Sequence, residues 1–124
     1  MPFVSPDESP EFRLSGVVFS GLASPSRGAM ENAVWRLRLD PGTIGTPHQL
    51  TREETIVATS GRALAILDGL AYDLVVGAAI IVPANVDFSL SNPHAEPFEA
   101  VAVLPIGGEA RVGDAPSFTP PWAA

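Results

Sequence analysis

The chain has 124 residues, 46% of them hydrophobic, which suits one domain with one core. Its net charge is −7 and every cation is an arginine, which argues against a phosphate-backbone partner and leaves no lysine for Schiff-base chemistry. There is no cysteine, so disulfides, thiolate nucleophiles and cysteine-ligated metals are excluded.

Residues 1–10, rich in Pro, Ser and acids, read as a flexible N-terminal arm, and residues 11–124 as the domain. The arm has no basic stretch followed by an apolar run, so it does not read as a signal peptide. The most apolar segment, LVVGAAIIVPANV, is too short for a bilayer and contains Pro83. No nucleic-acid or membrane partner is expected, and a cytoplasmic location is.

Short β-branched or alternating segments follow in order: FRLSGVVF, AVWRLRL, ETIVATS, RALAILD, LAYDLVV, AAIIVP, VDFSLS and PFEAVAVLP. Turn residues separate them at Asp40-Pro41-Gly42, Ser60-Gly61, Asp68-Gly69 and Ser91-Asn92-Pro93. Asp68-Gly69 supplies the positive φ angles of a type I′ hairpin. No segment holds a 3.6-residue apolar period, so the pattern predicts an all-β sandwich or barrel. The ending VGDAPSFTPPWAA, within a Pro/Gly-rich tail over 105–124, reads as irregular, with Phe118 and Trp122 as anchors over the body or a partner subunit.

Alternation assigns faces. On AVWRLRL, Trp35, Leu37 and Leu39 share one face, while Val34, Arg36 and Arg38 share a wetter one. His48 with Leu50, Glu54 with Ile56, and Val86, Phe88 and Leu90 form further same-face sets, with Phe88 turned inward.

The spacing of chemical residues is specific. Gly42, His48, Leu50, Glu54 and Gly61 fall on the pattern Gly, five residues, His, one, His, three, Glu, six, Gly, with Leu50 in place of the second His. Gly77, Pro83, Asn85, Phe88 and Asn92 fall on a second pattern, Gly, five, Pro, one, Gly, two, His, three, Asn. The chain therefore resembles the cupin superfamily over roughly residues 30–105, with its first motif at 42–61 and its second at 77–92. The resemblance implies a single-domain cupin, an all-β jelly-roll β-barrel, which pairs as a homodimer. It also places the usual metal ligands at His48, Leu50, Glu54 and Phe88. Two of these four are hydrocarbons, so the expectation is a cavity with no metal and no cofactor.

His48 and Glu54 are implied to lie close together in the barrel mouth. Two readings stand beside each other: a hydrogen-bonded polar pair in an apolar cavity, or a catalytic pair in which Glu54 orients His48 as acid or base. The expected function is binding of a small, largely apolar molecule by Trp35, His48, Leu50, Glu54, Ile56 and Phe88. The alternative is a metal-independent isomerase, lyase or cyclase acting on a sugar or polyketide-like metabolite through His48 and Glu54. A third reading is a dioxygenase or isomerase with an incomplete metal site.

Other residues take plainer readings. His94 reads as an exposed loop residue, Arg52 and Glu53 as solvated surface, and Tyr72 as a cross-strand packing residue with its hydroxyl toward water. Asn85 stands where the motif has Gly, a substitution that Asn tolerates because it visits left-handed backbone geometry.

Overall fold

The computed structural model describes residues 3–124, and their strands form two facing sheets. The strands are β1 (Glu11–Leu14), β2 (Val17–Ala23), β3 (Asn32–Leu39), β4 (Gln49–Leu50), β5 (Glu54–Ser60), β6 (Arg62–Leu67), β7 (Leu70–Val75), β8 (Ala79–Val82), β9 (Phe88–Ser91), β10 (Phe98–Pro105) and β11 (Ala110–Arg111). Among the described residues no helix is long and apolar enough to cross a membrane.

The larger sheet has the order β1-β2-β3-β10-β5-β8, with every pairing antiparallel. Its backbone is the ladder between β3 and β10, which runs unbroken from Phe98↔Leu39 to Pro105↔Asn32. The alternation on β3 is the one the sequence suggests: Ala33, Trp35, Leu37 and Leu39 are buried, and Arg36 and Arg38 are exposed. On β10 the inward residues are Phe98, Ala100, Ala102 and Leu104; on β5 they are Glu54, Ile56 and Ala58. Ala58, Ala100 and Ala102 contribute only methyl groups to this face, beside the larger Trp35, Leu37 and Ile56.

The second sheet is assembled from pieces. The order β7-β6-β9 is continued by a pair of backbone hydrogen bonds between His48 and Phe88, each 2.9 Å, which brings β4 beside β9. β4 pairs with β11, and Phe118 pairs with Ala110 beyond it. The β6–β7 hairpin turns at Asp68 (φ 50°) and Gly69 (φ 79°), the expected type I′ geometry.

Three local features differ from the sequence reading. FRLSGVVF is not one strand but two, because Ser15 (φ 47°) and Gly16 (φ 84°) form a second tight turn with positive φ at both central residues. The tail is more regular than its proline content suggests, since Phe118 joins the second sheet and Pro121–Ala123 makes a turn of 3₁₀ helix. The arm assigned to 1–10 lies partly outside the described residues. Its described part includes a 3₁₀ turn over Pro6–Glu8, capped by Ser5. Asn85 does take a left-handed conformation, at φ 62°.

Buried Asn92 ties the ends of strands together. Its amide nitrogen donates to the carbonyls of Leu39 (3.1 Å) and Glu96 (2.8 Å), and its side-chain oxygen accepts from the His94 backbone N–H (3.0 Å). A fully buried amide with all three bonds made is structural in character.

Candidate functional site

Between the sheets lies a cavity of about 280 Å³. The larger sheet supplies Trp35, Leu37, Glu54 and Ile56 to its wall. The second sheet supplies His48, Leu50, Phe88 and Leu90, and the tail supplies Phe118 and Trp122. All six residues singled out in the sequence, Trp35, His48, Leu50, Glu54, Ile56 and Phe88, line this one space. Most of the wall is hydrocarbon or aromatic, and among the described residues its only ionisable side chains are His48 and Glu54.

These two share the cavity but not a hydrogen bond. The ion pairs among the described residues are Arg13–Glu11, Arg38–Asp40 and Arg62–Asp73, with His48–Glu54 absent from that set. The reason is topological. Glu54 begins β5 of the larger sheet, whereas His48 adjoins β4 of the second sheet, and residues 51–53 cross from one to the other. Six positions apart in sequence, they stand on opposite walls. The direct carboxylate–imidazole contact inferred from the sequence does not form.

His48 bonds locally instead. Its Nδ1 lies 2.8 Å from the Thr46 carbonyl oxygen, and a carbonyl can only accept, so Nδ1 carries the proton. In the neutral ring Nε2 is then left with its lone pair. The ring meets Phe88 edge-on at 5.8 Å and 71°.

Glu54 is 5% exposed with no counter-charge beside it. Burial alone pushes its carboxyl up from the ordinary 4.5 to about 8, because an ion in apolar surroundings loses its hydration without compensation. Near neutral pH the group is mostly the uncharged acid, which both donates and accepts a hydrogen bond.

Trp35 is 3% exposed, and its indole Nε1–H has no protein partner. Such an orphaned donor costs about 1–3 kcal/mol. Sequence reasoning placed Trp35 in the wall but gave no sign of this unpaired donor. It also missed Phe19 and the carbonyl of Thr46. Trp122, foreseen as an anchor, stacks flat on Phe19 with centroids 3.6 Å apart and meets Trp35 edge-on at 6.4 Å. The tail is thus held against the barrel by aromatic contact and contributes to the cavity wall.

Of the plainer readings, that of His94 as an exposed residue differs: it is half-buried, held by Asn92 and Arg62. Arg52 and Glu53 are exposed, Tyr72 is opposite Ala65 and half-exposed, and His94 accepts from Arg62 at 3.2 Å.

A family profile for the cupin domain matches residues 35–104, more than half of the chain. The chain belongs to the cupin family. Among solved structures it is similar to the polyketide cyclase RemF of Streptomyces resistomycificus, with a TM-score of 0.79 and 18% identity over 94% of this chain and 87% of that one. It is also similar to an RmlC-like cupin of Shewanella frigidimarina, with a TM-score of 0.74 and 17% identity over 85% and 90% of the two chains. A third is KdgF of a Halomonas species, with a TM-score of 0.70 and 22% identity over 83% and 93%. At such identities the likeness is one of fold. No functionally curated protein matches the sequence.

The metal that the cupin motif places in the barrel does not fit the residues present. Leu50 and Phe88, each 3% exposed, offer no donor atom, which leaves one imidazole and one carboxyl of the four positions. Among the described residues no three His, Cys, Asp or Glu side chains gather around a common point.

Proposed function

We propose that this cupin binds a small, largely apolar molecule in its barrel without a metal, using Glu54 and His48 as polar contacts and Trp35 as part of the apolar wall. The observation that supports this most directly is the wall itself. It encloses about 280 Å³ with aliphatic and aromatic side chains and holds one uncharged carboxyl instead of a ligand set. Apolar walls with a few placed polar groups are the usual form of a small-molecule pocket. The test is twofold. Elemental mass spectrometry of untagged protein, purified without chelator or added metal, is expected to find no stoichiometric transition metal. Naphthalene-type probes are expected to quench Trp35 and Trp122 fluorescence saturably. Stoichiometric metal, or no saturable quenching, contradicts the reading.

A second reading is favoured by one observation. A neutral Glu54 acid and a His48 whose Nε2 lone pair is free face the same space. That pairs a carboxylic acid with an imidazole across one cavity, an arrangement suited to isomerisation, elimination or cyclisation. RemF, a fold relative, is a polyketide cyclase. If this chain is catalytic, His48→Ala abolishes turnover while leaving ligand affinity nearly intact. If it only binds, the same change weakens affinity modestly. Pairing into a homodimer is part of the proposal, supported by outward apolar side chains on the larger sheet such as Val57 and Ile81.

A further inference from the structure

The cavity wall changes character from its opening to its interior. Leu14, Val112 and Phe118 line the cavity and are also exposed, so they border its opening to solvent. Ser15 and Thr46, exposed as well, complete that rim. Ile44, 85% exposed, stands beside the lining Gly45. Leu50, Glu54 and Ile56 line the same space but are buried, so they belong to its interior. Sheet order agrees with this. Leu14 ends β1 at one edge of the larger sheet, and β2, β3 and β10 lie between β1 and β5, which carries Glu54.

The interior holds a polar group that a ligand can reach. Among the described residues, the fully enclosed side-chain polar atoms without a partner are Ser9 Oγ and Trp35 Nε1. The carboxyl oxygens of Glu54 are not in that set, and no protein group hydrogen-bonds them, so they keep open surface. Because Glu54 is buried and lines the cavity, that surface faces the cavity. A neutral carboxyl both donates and accepts, which a hydroxyl or an amide answers in full. A charged group fares worse. No arginine lines the wall to meet an anion, and a cation must first ionise Glu54 against its burial. The rim is the reverse of the interior: its large side chains are hydrocarbon and stand in water. Exposed apolar side chains around a cavity mouth mark surface that is covered on binding.

Resting on the proposed function, we infer that the ligand is an uncharged amphiphile, bound with a hydroxyl- or amide-type head on Glu54 and with its hydrocarbon running out through the mouth over Leu14, Ile44, Val112 and Phe118. The polar end enters first, and the apolar end covers the rim.

The test is calorimetric titration of the whole protein at pH 6.5 with 1-hexanol, 1-octanol and 1-decanol, and with decanoate and decylammonium. Affinity for the alcohols is expected to rise about threefold to fourfold with each added methylene. The two ions are expected to bind at least about tenfold more weakly than 1-decanol. Glu54→Leu is expected to lose about tenfold for every alcohol, through the lost hydrogen bonds to the head. Leu14→Ser combined with Phe118→Ser is expected to lose about tenfold for 1-decanol, a loss that shrinks as the chain shortens. A barrel that was merely loosened would lose affinity equally at every length. If the rim variant does not fold, the parent series and Glu54→Leu decide. A rim loss independent of chain length, or no rim loss, overturns the inference. So does undiminished alcohol binding by Glu54→Leu, or tightest binding by either ion. A changed solution mass for the rim variant, with its length dependence intact, would assign the rim to a second copy of the chain and also overturns it. Naphthalene-type probes that bind while no alcohol does overturn this inference alone and leave the proposed function standing. Binding of neither overturns both.

Discussion

The two walls of the cavity are built by different means. The larger sheet is a continuous antiparallel array whose β3–β10 ladder spans the length of both strands. The second sheet is joined by a single His48–Phe88 pair and by the two-residue ladder of β4 and β11. The continuous wall holds Trp35, whose indole N–H lacks a partner, and the buried carboxyl of Glu54, while the pieced wall holds His48, Leu50 and Phe88. A long ladder fixes a buried, unsatisfied group that a short one would let relax toward water. Trp35 stands inside that long ladder, whereas Glu54, the first residue of β5, is paired only with the edge strand β8.

The largest effect that would break this comparison comes from restoring a ligand set across it. Leu50→His with Phe88→His adds two imidazoles from the second sheet to His48 and to Glu54 on the first. The double variant is expected to bind Zn²⁺ or Ni²⁺ at micromolar concentration or better, about 8 kcal/mol of binding free energy against no measurable binding in the parent. Calorimetric titration checks it. No gain would mean that the four positions do not surround a common point, and the motif-based placement of Leu50 and Phe88 would fall.

The two walls also differ in how far the sequence reveals them. On β3 the alternation of Trp35, Leu37 and Leu39 with Arg36 and Arg38 fixes both strand and face, because one side is buried and the other wet. Asp68-Gly69 announces its turn by residue type alone. Ser15-Gly16 does the same job but hides in an apolar run, since Ser is a weaker signal for positive φ than Asp or Asn. β4 and β11 are too short to show any period. The cupin spacing pointed to His48, Leu50, Glu54 and Phe88, and alternation added Trp35 and Ile56, all of which line one cavity, yet neither could tell that His48 and Glu54 stand on different sheets. Nor does any pattern disclose that an indole N–H lacks an acceptor, which depends on every neighbour at once.

A second test compares packing in the two walls. Phe98 is wholly buried at the start of β10, and Phe98→Ala is expected to cost about 3–5 kcal/mol. Leu50 in the second sheet already borders open space, so Leu50→Ala removes fewer contacts and is expected to fall near the lower end of the range for such changes, about 2 kcal/mol. Denaturant midpoints with an unchanged slope measure both. Equal losses would show that the pieced sheet is packed as tightly as the continuous one, and the contrast drawn above would disappear.

The test that sharpens the comparison most is the pH dependence set by Glu54. Below pH 4.5 its carboxyl is protonated in the folded and unfolded chain alike, and its burial carries no charge cost. As pH rises from 4.5 toward about 8 the unfolded chain releases the proton while the folded one keeps it, so stability falls. Above about 8 both forms are ionised and the loss is complete. Glu54→Gln cannot ionise and does not follow this slope. The other carboxylates, including Asp7 and Glu8, which Ser5 holds below their ordinary values, are common to both proteins and cancel in the difference. The variant is therefore expected to match the parent near pH 4.5 and to exceed it by on the order of 4 kcal/mol near pH 8. Unfolding curves taken across that window check it. Parallel curves would mean that Glu54 reaches water or a cation in solution, and that the continuous wall does not hold its polar groups against solvent.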